Sequence, residues 1–180
     1  MLLGIDGRSG VGKTRLAAAV AEQLGTRGRR AIVLSMDDLY AGWHGLSGVG
    51  ATLCRDVVAP IRQGRRPRVR RYDWTQGAFG RPATLLVEDV LILEGVGSTV
   101  HRCRGALDLT VWVQAPRTTR LARAEHRAGQ GDFAGHAAIW ERQEFALFGP
   151  DRYPEPQQGF DLMVDTANAD TVRDARIEDE

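Results

Sequence analysis

The sequence predicts an α/β protein with a parallel sheet of about five strands covered by helices on both faces. Apolar runs of strand length alternate along the chain with longer stretches of helical periodicity. Runs such as VLILEG are apolar at consecutive positions, as in strands that are buried on both faces. The 180 residues are 43% hydrophobic and 26% charged, which is ordinary for a globular protein, and we predict one domain over residues 1–180.

The elements follow in order along the chain. Five strands are predicted from the segments MLLGI, AIVLS, VLILEG, LDLTVWVQA and FDLMVDT. Helices are predicted over 14–24, where glycines follow in GTRGRR, and over 47–62, where the apolar residues fall on one side. A third helix follows Pro116 and runs to about Ala128, and a fourth covers 135–148.

One stretch interrupts this alternation. Residues 62–83 are rich in arginine, glycine and aromatic residues, so they do not fit a core helix. We predict an excursion with one or two short strands, placed over the sheet edge where substrates bind. Its run RQGRRPRVRR has three open interpretations: a solvated face, an anion site for a phosphorylated acceptor, or a nucleic-acid contact. The net charge of +1 disfavours the nucleic-acid contact.

The segment GRSGVGKT, residues 7–14, fits the pattern G-x-x-x-x-G-K-[ST] between a predicted strand and a predicted helix. Glycines let the backbone wrap closely, so that its N–H groups and the helix N-terminus face phosphate oxygens. This predicts a P-loop that binds ATP and Mg²⁺. The predicted nucleotide-binding residues are Gly7, Arg8, Ser9, Gly10, Val11, Gly12, Lys13 and Thr14, with the Thr14 hydroxyl on the metal.

Lys13 is the single lysine of the sequence, against 23 arginines within the 24 basic residues. A compact ammonium reaches the β- and γ-phosphates inside a tight loop, where the broad guanidinium of arginine does not fit in the same way. Lysine at this position therefore favours the P-loop interpretation over an accidental glycine-rich turn.

A pair of carboxylates follows the second strand, in AIVLSMDDLY. The carboxyl end of a strand beside the P-loop lies next to the γ-phosphate, where open sheets bind their ligands. A kinase needs a carboxylate there to orient an acceptor hydroxyl and take its proton. Asp37 and Asp38 therefore favour a small-molecule kinase over a nucleotide switch.

Four segments, in this order, resemble the uridine kinase family, within the group that includes phosphoribulokinase and bacterial pantothenate kinase. They are LSMDDLY, RYDW, LILEGV and TRLARAEHR, and with the P-loop the resemblance runs from residue 1 to about 128. It implies that Asp37 is the general base and that Asp38 positions it or binds the acceptor. It also implies further acceptor-side residues: Tyr40, Tyr72, Asp73 and Glu94. Glu94 would hold the acceptor or Mg²⁺, the latter through water.

The segment TRLARAEHR resembles the lid helix of that family. At about 100° per residue, Arg120, Arg123 and Arg127 share one face of the helix. Such a face could stabilise charge on the transferring phosphoryl group, and the alternative is a solvated basic face. We predict catalytic roles for Arg123 and Arg127, a supporting ATP contact for Arg120, and a small lid over residues 126–136 with glycine hinges.

The acceptor is less well defined than the transfer chemistry. The family's histidine after Y-D-F is missing, since Gly77 stands near that place, and Ala128 replaces the usual aspartate after the last arginine. Trp43 and Trp74 suggest either a flat ligand or internal packing. A nucleoside is the first expectation. The alternatives are a kinase for a sugar, a vitamin precursor or an antibiotic, and a nucleotide-binding regulator without acceptor chemistry.

The remaining expectations concern location and partners. Cys54 and Cys103 lack metal-ligand spacing, and we interpret them as reduced thiols of a cytoplasmic protein. No apolar run reaches the length of a membrane span, so no membrane contact is expected. The expected partner is a small-molecule acceptor, and self-association stays open.

Overall fold

A computed structural model describes residues 1–128, 133–154, 159–167 and 171–174, with the backbone alone for 125–128, 133–134 and 171–174. The strands in chain order are β1 (Leu2–Asp6), β2 (Ala31–Ser35), β3 (Arg68–Val69), β4 (Tyr72–Asp73), β5 (Ala78–Phe79), β6 (Ala83–Thr84), β7 (Val90–Glu94), β8 (Leu109–Gln114), β9 (Leu162–Asp165) and β10 (Thr171–Asp174). The helices are α1 (Lys13–Thr26), α2 (Leu46–Leu53), α3 (Ala59–Arg62), α4 (Arg117–Ala128) and α5 (Phe133–Phe148), and Cys54–Val58 is a π-helical segment between α2 and α3.

The central sheet of the described residues has the strand order β2-β7-β1-β8-β9-β10. Its first five strands are parallel, and β10 is antiparallel to β9. The predicted five-stranded parallel sheet is confirmed. The sixth strand lies in a polar segment whose pattern gave no strand signal.

Two apolar clusters cover the two faces of the sheet, because successive side chains of a strand point to opposite sides. On one face Leu3 and Ile5 pack with residues of α1 such as Ala17. On the other face Leu2 and Leu93 pack with residues of α2 and α5. All five residues of β1 and of β7 are buried, which their apolar runs predict and which also includes the acidic residues Asp6 and Glu94 at their ends.

The predicted excursion consists of two small antiparallel strand pairs, β3 with β6 and β4 with β5. Four of the six arginines of its basic run contact groups of the chain itself. Arg62 pairs with Asp108 and Arg71 with Asp38, Arg70 donates to Gly80 O, and Arg65 donates to Gln63 Oε1. All six of these arginines are exposed.

The interpretation of two reduced thiols is wrong for this structure. Cys54 and Cys103 form a disulfide across a sequence separation of 49 residues, with Cα atoms 5.7 Å apart. No sequence pattern indicates this pairing, because the fold alone brings the end of α2 beside the loop that follows β7.

Residues 129–132 of the predicted lid lie outside the described residues, as does the acidic segment RIEDE. Among the described helices, none combines the length and the apolar character that crossing a membrane requires.

Candidate active site

Three neighbouring strands bring the candidate site residues to one edge of the sheet. β7 pairs with β1 on one side and β2 on the other, and its last residue Glu94 lies level with Ile5 and Ser35. β1 continues into the loop Gly7–Thr14, and β2 continues into the turn Met36–Asp38. The carboxyl ends of parallel strands therefore place the loop and both acidic segments side by side, as expected for open sheets.

The loop has the backbone shape of a phosphate cradle. Gly7, Gly10 and Gly12 have positive φ angles of 143°, 82° and 95°. A Cβ atom at Gly7 would lie 2.2 Å from Val113 O, and one at Gly10 would lie 2.3 Å from Arg120 O. Glycine is therefore required at both positions for conformation and for space.

The Lys13 side chain lies under this loop and is buried. Its Nζ atom donates hydrogen bonds to Gly7 O at 2.8 Å and Arg8 O at 3.0 Å. An ammonium has three donors, so one remains for a phosphate oxygen. Burial lowers the pKa of Lys13, and the charges of Glu144, Asp6, Glu94 and Asp37 oppose that shift.

Thr14 and Glu94 form the oxygen pair that fits a magnesium site. The Thr14 hydroxyl lies 3.3 Å from Glu94 Oε2. Mg²⁺ prefers hydroxyl, carboxylate and water oxygens near phosphates, so the donor set suits this ion directly or through water. Glu94 is buried at the end of β7, and α1 presents Thr14 at its second position.

Asp6 is a buried carboxylate that the sequence analysis did not single out. Its Oδ1 atom accepts from Gly7 N at 2.7 Å and Gly97 N at 2.8 Å. Its Oδ2 atom accepts from the N–H and the hydroxyl of Thr99, both at 2.8 Å. Burial raises the pKa of Asp6, and the Thr99 and Gly7 hydrogen bonds and the Lys13 charge oppose this. Asp6 therefore ties the P-loop to the loop after β7.

Glu144 on α5 is a second carboxylate that the sequence analysis missed. It is buried, and its Oε1 atom accepts from Ser9 N at 2.8 Å and from Trp140 Nε1 at 3.1 Å. The periodicity of α5 gave no sign of it, because nothing in a helical pattern shows which polar residue faces a distant loop. Glu144 holds the outer part of the P-loop.

Arg8 and Arg120 brace the loop from its outer side. Arg8 donates to Gly149 O at 3.0 Å and Pro150 O at 2.9 Å. Arg120 donates to Ser9 O at 3.0 Å and forms an ion pair with Asp151. Both guanidinium groups are buried in these contacts, which brace the loop.

Arg123 connects α4 with the end of the sheet. Its guanidinium donates to Thr166 Oγ1 at 2.9 Å and Thr166 O at 3.0 Å. Thr166 in turn donates to Val11 O at 2.7 Å. The side chain of Arg127 lies outside the described residues, so the face shared by the three arginines is seen only in part.

The two aspartates after β2 lie in different settings. Asp37 is exposed, its N–H donates to Ser35 Oγ at 3.3 Å, and its carbonyl accepts from Trp74 Nε1 at 3.0 Å. Asp38 pairs with Arg71 at 3.5 Å. The excursion is thus attached to the turn that carries both aspartates.

The predicted acceptor-side residues of the aromatic segments are only partly brought to this edge. Tyr40 is fully buried, its hydroxyl donates to Val96 O at 2.8 Å, and burial raises its pKa well above the usual value. Asp73 accepts from Thr75 N and Gln76 N within the turn between β4 and β5. Tyr72 is half-buried and packs edge-on against Trp74, with ring centroids 5.2 Å apart.

Trp43 and Trp74 pack against each other, with ring centroids 4.9 Å apart. Trp43 also stacks on His136 of α5 at 4.6 Å. Trp74 keeps 40% of its surface exposed. These contacts favour internal packing for Trp43 and leave Trp74 as the aromatic ring beside Asp37 that a flat ligand can reach.

No protein-family model matches the sequence, and no curated protein matches it. Solved structures do match the fold, which is the α/β fold of P-loop kinases. One is a possible uridine kinase from Bacillus stearothermophilus, with a TM-score of 0.64 and 20% identity over 92% of this chain and 88% of that one. A proposed fructose transport system kinase from a Silicibacter species matches with a TM-score of 0.63 and 17% sequence identity over 82% of each chain. D-glycerate 3-kinase from Cryptococcus neoformans matches with a TM-score of 0.60 and 16% sequence identity, over 97% of this chain and 89% of that one. At sequence identities this low, the structural matches establish a common fold alone.

Proposed function

We propose that this chain transfers the γ-phosphoryl group of ATP to a hydroxyl of a small molecule, with a nucleoside as the first candidate acceptor. One observation carries the proposal: the P-loop, Glu94 and Asp37 meet at the same edge of the sheet, and the charges of Glu94 and Asp37 act on Lys13. Binding elements for a triphosphate and a carboxylate for an acceptor are then neighbours. The kinase names of the structural neighbours agree with this chemistry.

In this proposal the P-loop amides and the Lys13 ammonium hold the phosphates, and Thr14 and Glu94 hold Mg²⁺. Bound magnesium supplies positive charge that offsets the phosphate oxygens. Asp37 orients the acceptor hydroxyl and takes its proton as the phosphoryl group leaves ATP. Arg123 and Arg127 supply positive charge near the transferred phosphoryl group. Arg123 lies beside Gly12, and a movement of α4 would release the Arg123 guanidinium from Thr166.

The acceptor side consists of Asp37, Asp38, Tyr72 and Trp74. The exposed face of Trp74 supports a planar acceptor such as a nucleoside, since stacking needs an accessible ring. Sugars and vitamin precursors stay in the proposal as alternative acceptors, because the family's base-reading histidine is absent.

The test is an ADP-release assay with ATP and Mg²⁺ across nucleosides, nucleoside monophosphates, pantothenate and sugars. We expect one class to raise ADP release at least tenfold above the rate without acceptor. With that acceptor, Asp37→Asn should lower kcat by about 10²–10⁴, the range of general-base catalysis. The Kd for ATP should change less than twofold.

Asp38→Asn is the matched control, because it removes a neighbouring carboxylate whose partner is Arg71. Its kcat should fall by less than tenfold. Acceptor-independent ATP hydrolysis in every case would favour a regulator and contradict the proposal. Equal kcat losses in both variants would contradict the base assignment.

A further inference from the structure

A second cluster of reactive side chains lies away from the phosphate loop. Cys54 begins the π-helical segment after α2, and His101 and Cys103 lie in the loop after β7. His101 Nδ1 is 3.1 Å from Cys103 Sγ and 3.6 Å from Cys54 Sγ. The two sulfurs and this nitrogen all lie within 4.8 Å of one another. His101 and Cys103 are partly exposed, so solutes can reach the cluster.

The hydrogen bond on the far side of the imidazole ring determines the tautomer of His101. Its Nε2 atom lies 2.8 Å from Ser98 O. A carbonyl only accepts, so Nε2 carries the hydrogen, and in the neutral ring Nδ1 presents a lone pair. That lone pair faces two disulfide sulfurs, which have no hydrogen to donate. The ring therefore presents a lone pair to the two sulfurs that could bind a metal ion.

The nitrogen–sulfur separations match those of a thiolate and imidazole metal site, whereas the two sulfurs, which are bonded to each other in the disulfide, must separate to about 3.8 Å when both bind one cation. Zinc takes sulfur at about 2.3 Å and nitrogen at about 2.0–2.1 Å in a tetrahedron, which places the nitrogen about 3.5 Å from each sulfur. The observed separations of 3.1 and 3.6 Å lie on either side of that value. The hydrogen bond to Ser98 O is the kind of outer contact that orients a metal-binding histidine.

We propose that Cys54, His101 and Cys103 form a binding site for a thiophilic divalent cation such as Zn²⁺, which is available when the two cysteines are reduced and closed when they form the disulfide. A dithiol reductant supplies two electrons and two protons to the disulfide and becomes a cyclic disulfide itself. Zinc then replaces the two thiol protons, which pass to solvent. Two thiolates balance the charge of the cation, neutral His101 is the third ligand, and water completes the tetrahedron. This site does not depend on the proposed kinase function.

The first experiment uses the full chain reduced with dithiothreitol, which is then removed under argon. Titration with Co²⁺ should give one equivalent bound, with thiolate-to-cobalt absorption in the near ultraviolet and the visible bands of tetrahedral cobalt. Zn²⁺ should bleach these bands. The oxidised chain, with no titratable thiol, should bind at least a hundredfold more weakly. Reduced protein that shows no cobalt–thiolate absorption would overturn the proposal, as would equal binding by the oxidised chain.

Two variants and a control identify the ligands. Cys54→Ser and His101→Ala should each weaken Co²⁺ binding at least tenfold. His44→Ala removes an exposed histidine elsewhere and should leave binding unchanged. His101→Ala keeps both cysteines, so it reports on the site even if Cys54→Ser fails to fold by circular dichroism. Unchanged binding in His101→Ala, or an equal loss in His44→Ala, would refute the assignment.

Discussion

Replacing Asp6 with asparagine tests how the phosphate loop is held in place. The carboxylate accepts four hydrogen bonds, two on each oxygen, from groups of Gly7, Gly97 and Thr99. The carbonyl of an asparagine can keep the pair from Gly7 and Gly97. Its NH₂ group then faces the N–H of Thr99, and two donors cannot bond each other. The Thr99 hydroxyl can rotate to accept, but its N–H is left without a partner.

The expected cost follows from that count. One buried N–H without a partner costs about 1–3 kcal/mol, and the three remaining contacts lose their charge assistance. Removal of the desolvated charge offsets part of this loss. We therefore expect Asp6→Asn to lower the free energy of unfolding by about 2–3 kcal/mol. With a urea m-value of about 2 kcal/mol/M, the midpoint moves down by about 1–1.5 M.

The assay is urea unfolding followed by circular dichroism and by tryptophan fluorescence, with m-values compared. Asp89→Asn is the control, because Asp89 is partly exposed at the opposite edge of the same sheet and accepts from Arg30 N through one oxygen. Its midpoint should shift by less than about 0.3 M, since partly exposed substitutions of this kind cost about 0.5 kcal/mol or less. A midpoint for Asp6→Asn as close to wild type as that of the control would refute the account of Asp6.

Substitutions at four further residues address the site directly. Lys13→Ala should weaken ATP binding at least tenfold by calorimetry while circular dichroism stays unchanged; unchanged affinity would contradict the cradle. Gly10→Ala should lower the free energy of urea unfolding by at least about 2 kcal/mol, since φ is positive and the new Cβ meets a backbone oxygen. An unchanged free energy of unfolding would contradict the requirement for glycine at this position. Glu144→Gln keeps an acceptor for Ser9 N and should lower the free energy of unfolding by less than about 1 kcal/mol. Glu144→Ala leaves two donors unpaired and should lower it by about 2–4 kcal/mol. Equal losses in the two variants would exclude the hydrogen-bond role. Glu94→Gln should raise the Mg²⁺ concentration needed for half-maximal turnover at least fivefold, and an unchanged requirement would count against metal binding there.

The sequence was most informative where the signal is local. The strand patterns, the glycine spacing around Lys13 and the pair of carboxylates after β2 can each be recognised within about a dozen residues of sequence. The structure confirms the five parallel strands that these patterns predict. The helix predicted over 47–62 is interrupted by the π-helical segment, which a 3.6-residue pattern does not distinguish.

The sequence was least informative about contacts between distant segments. Glu144 reaches Ser9 across 135 residues, and the two cysteines meet across 49. Tyr40 matched an aromatic position of the acceptor segment in the uridine kinase family, yet its side chain is fully buried in this structure. Asp6 could have been noticed, since an acid at the end of an otherwise apolar strand needs partners, but their identity depends on the fold.

The position of Lys13 makes the chain well suited to magnetic resonance. A sample grown with isotope-labelled lysine contains one labelled side chain, because the sequence has a single lysine. Its resonance comes from an ammonium buried under the loop, already in contact with Gly7 and Arg8. One uncrowded signal therefore reports whether a polyphosphate has entered, without any engineered probe.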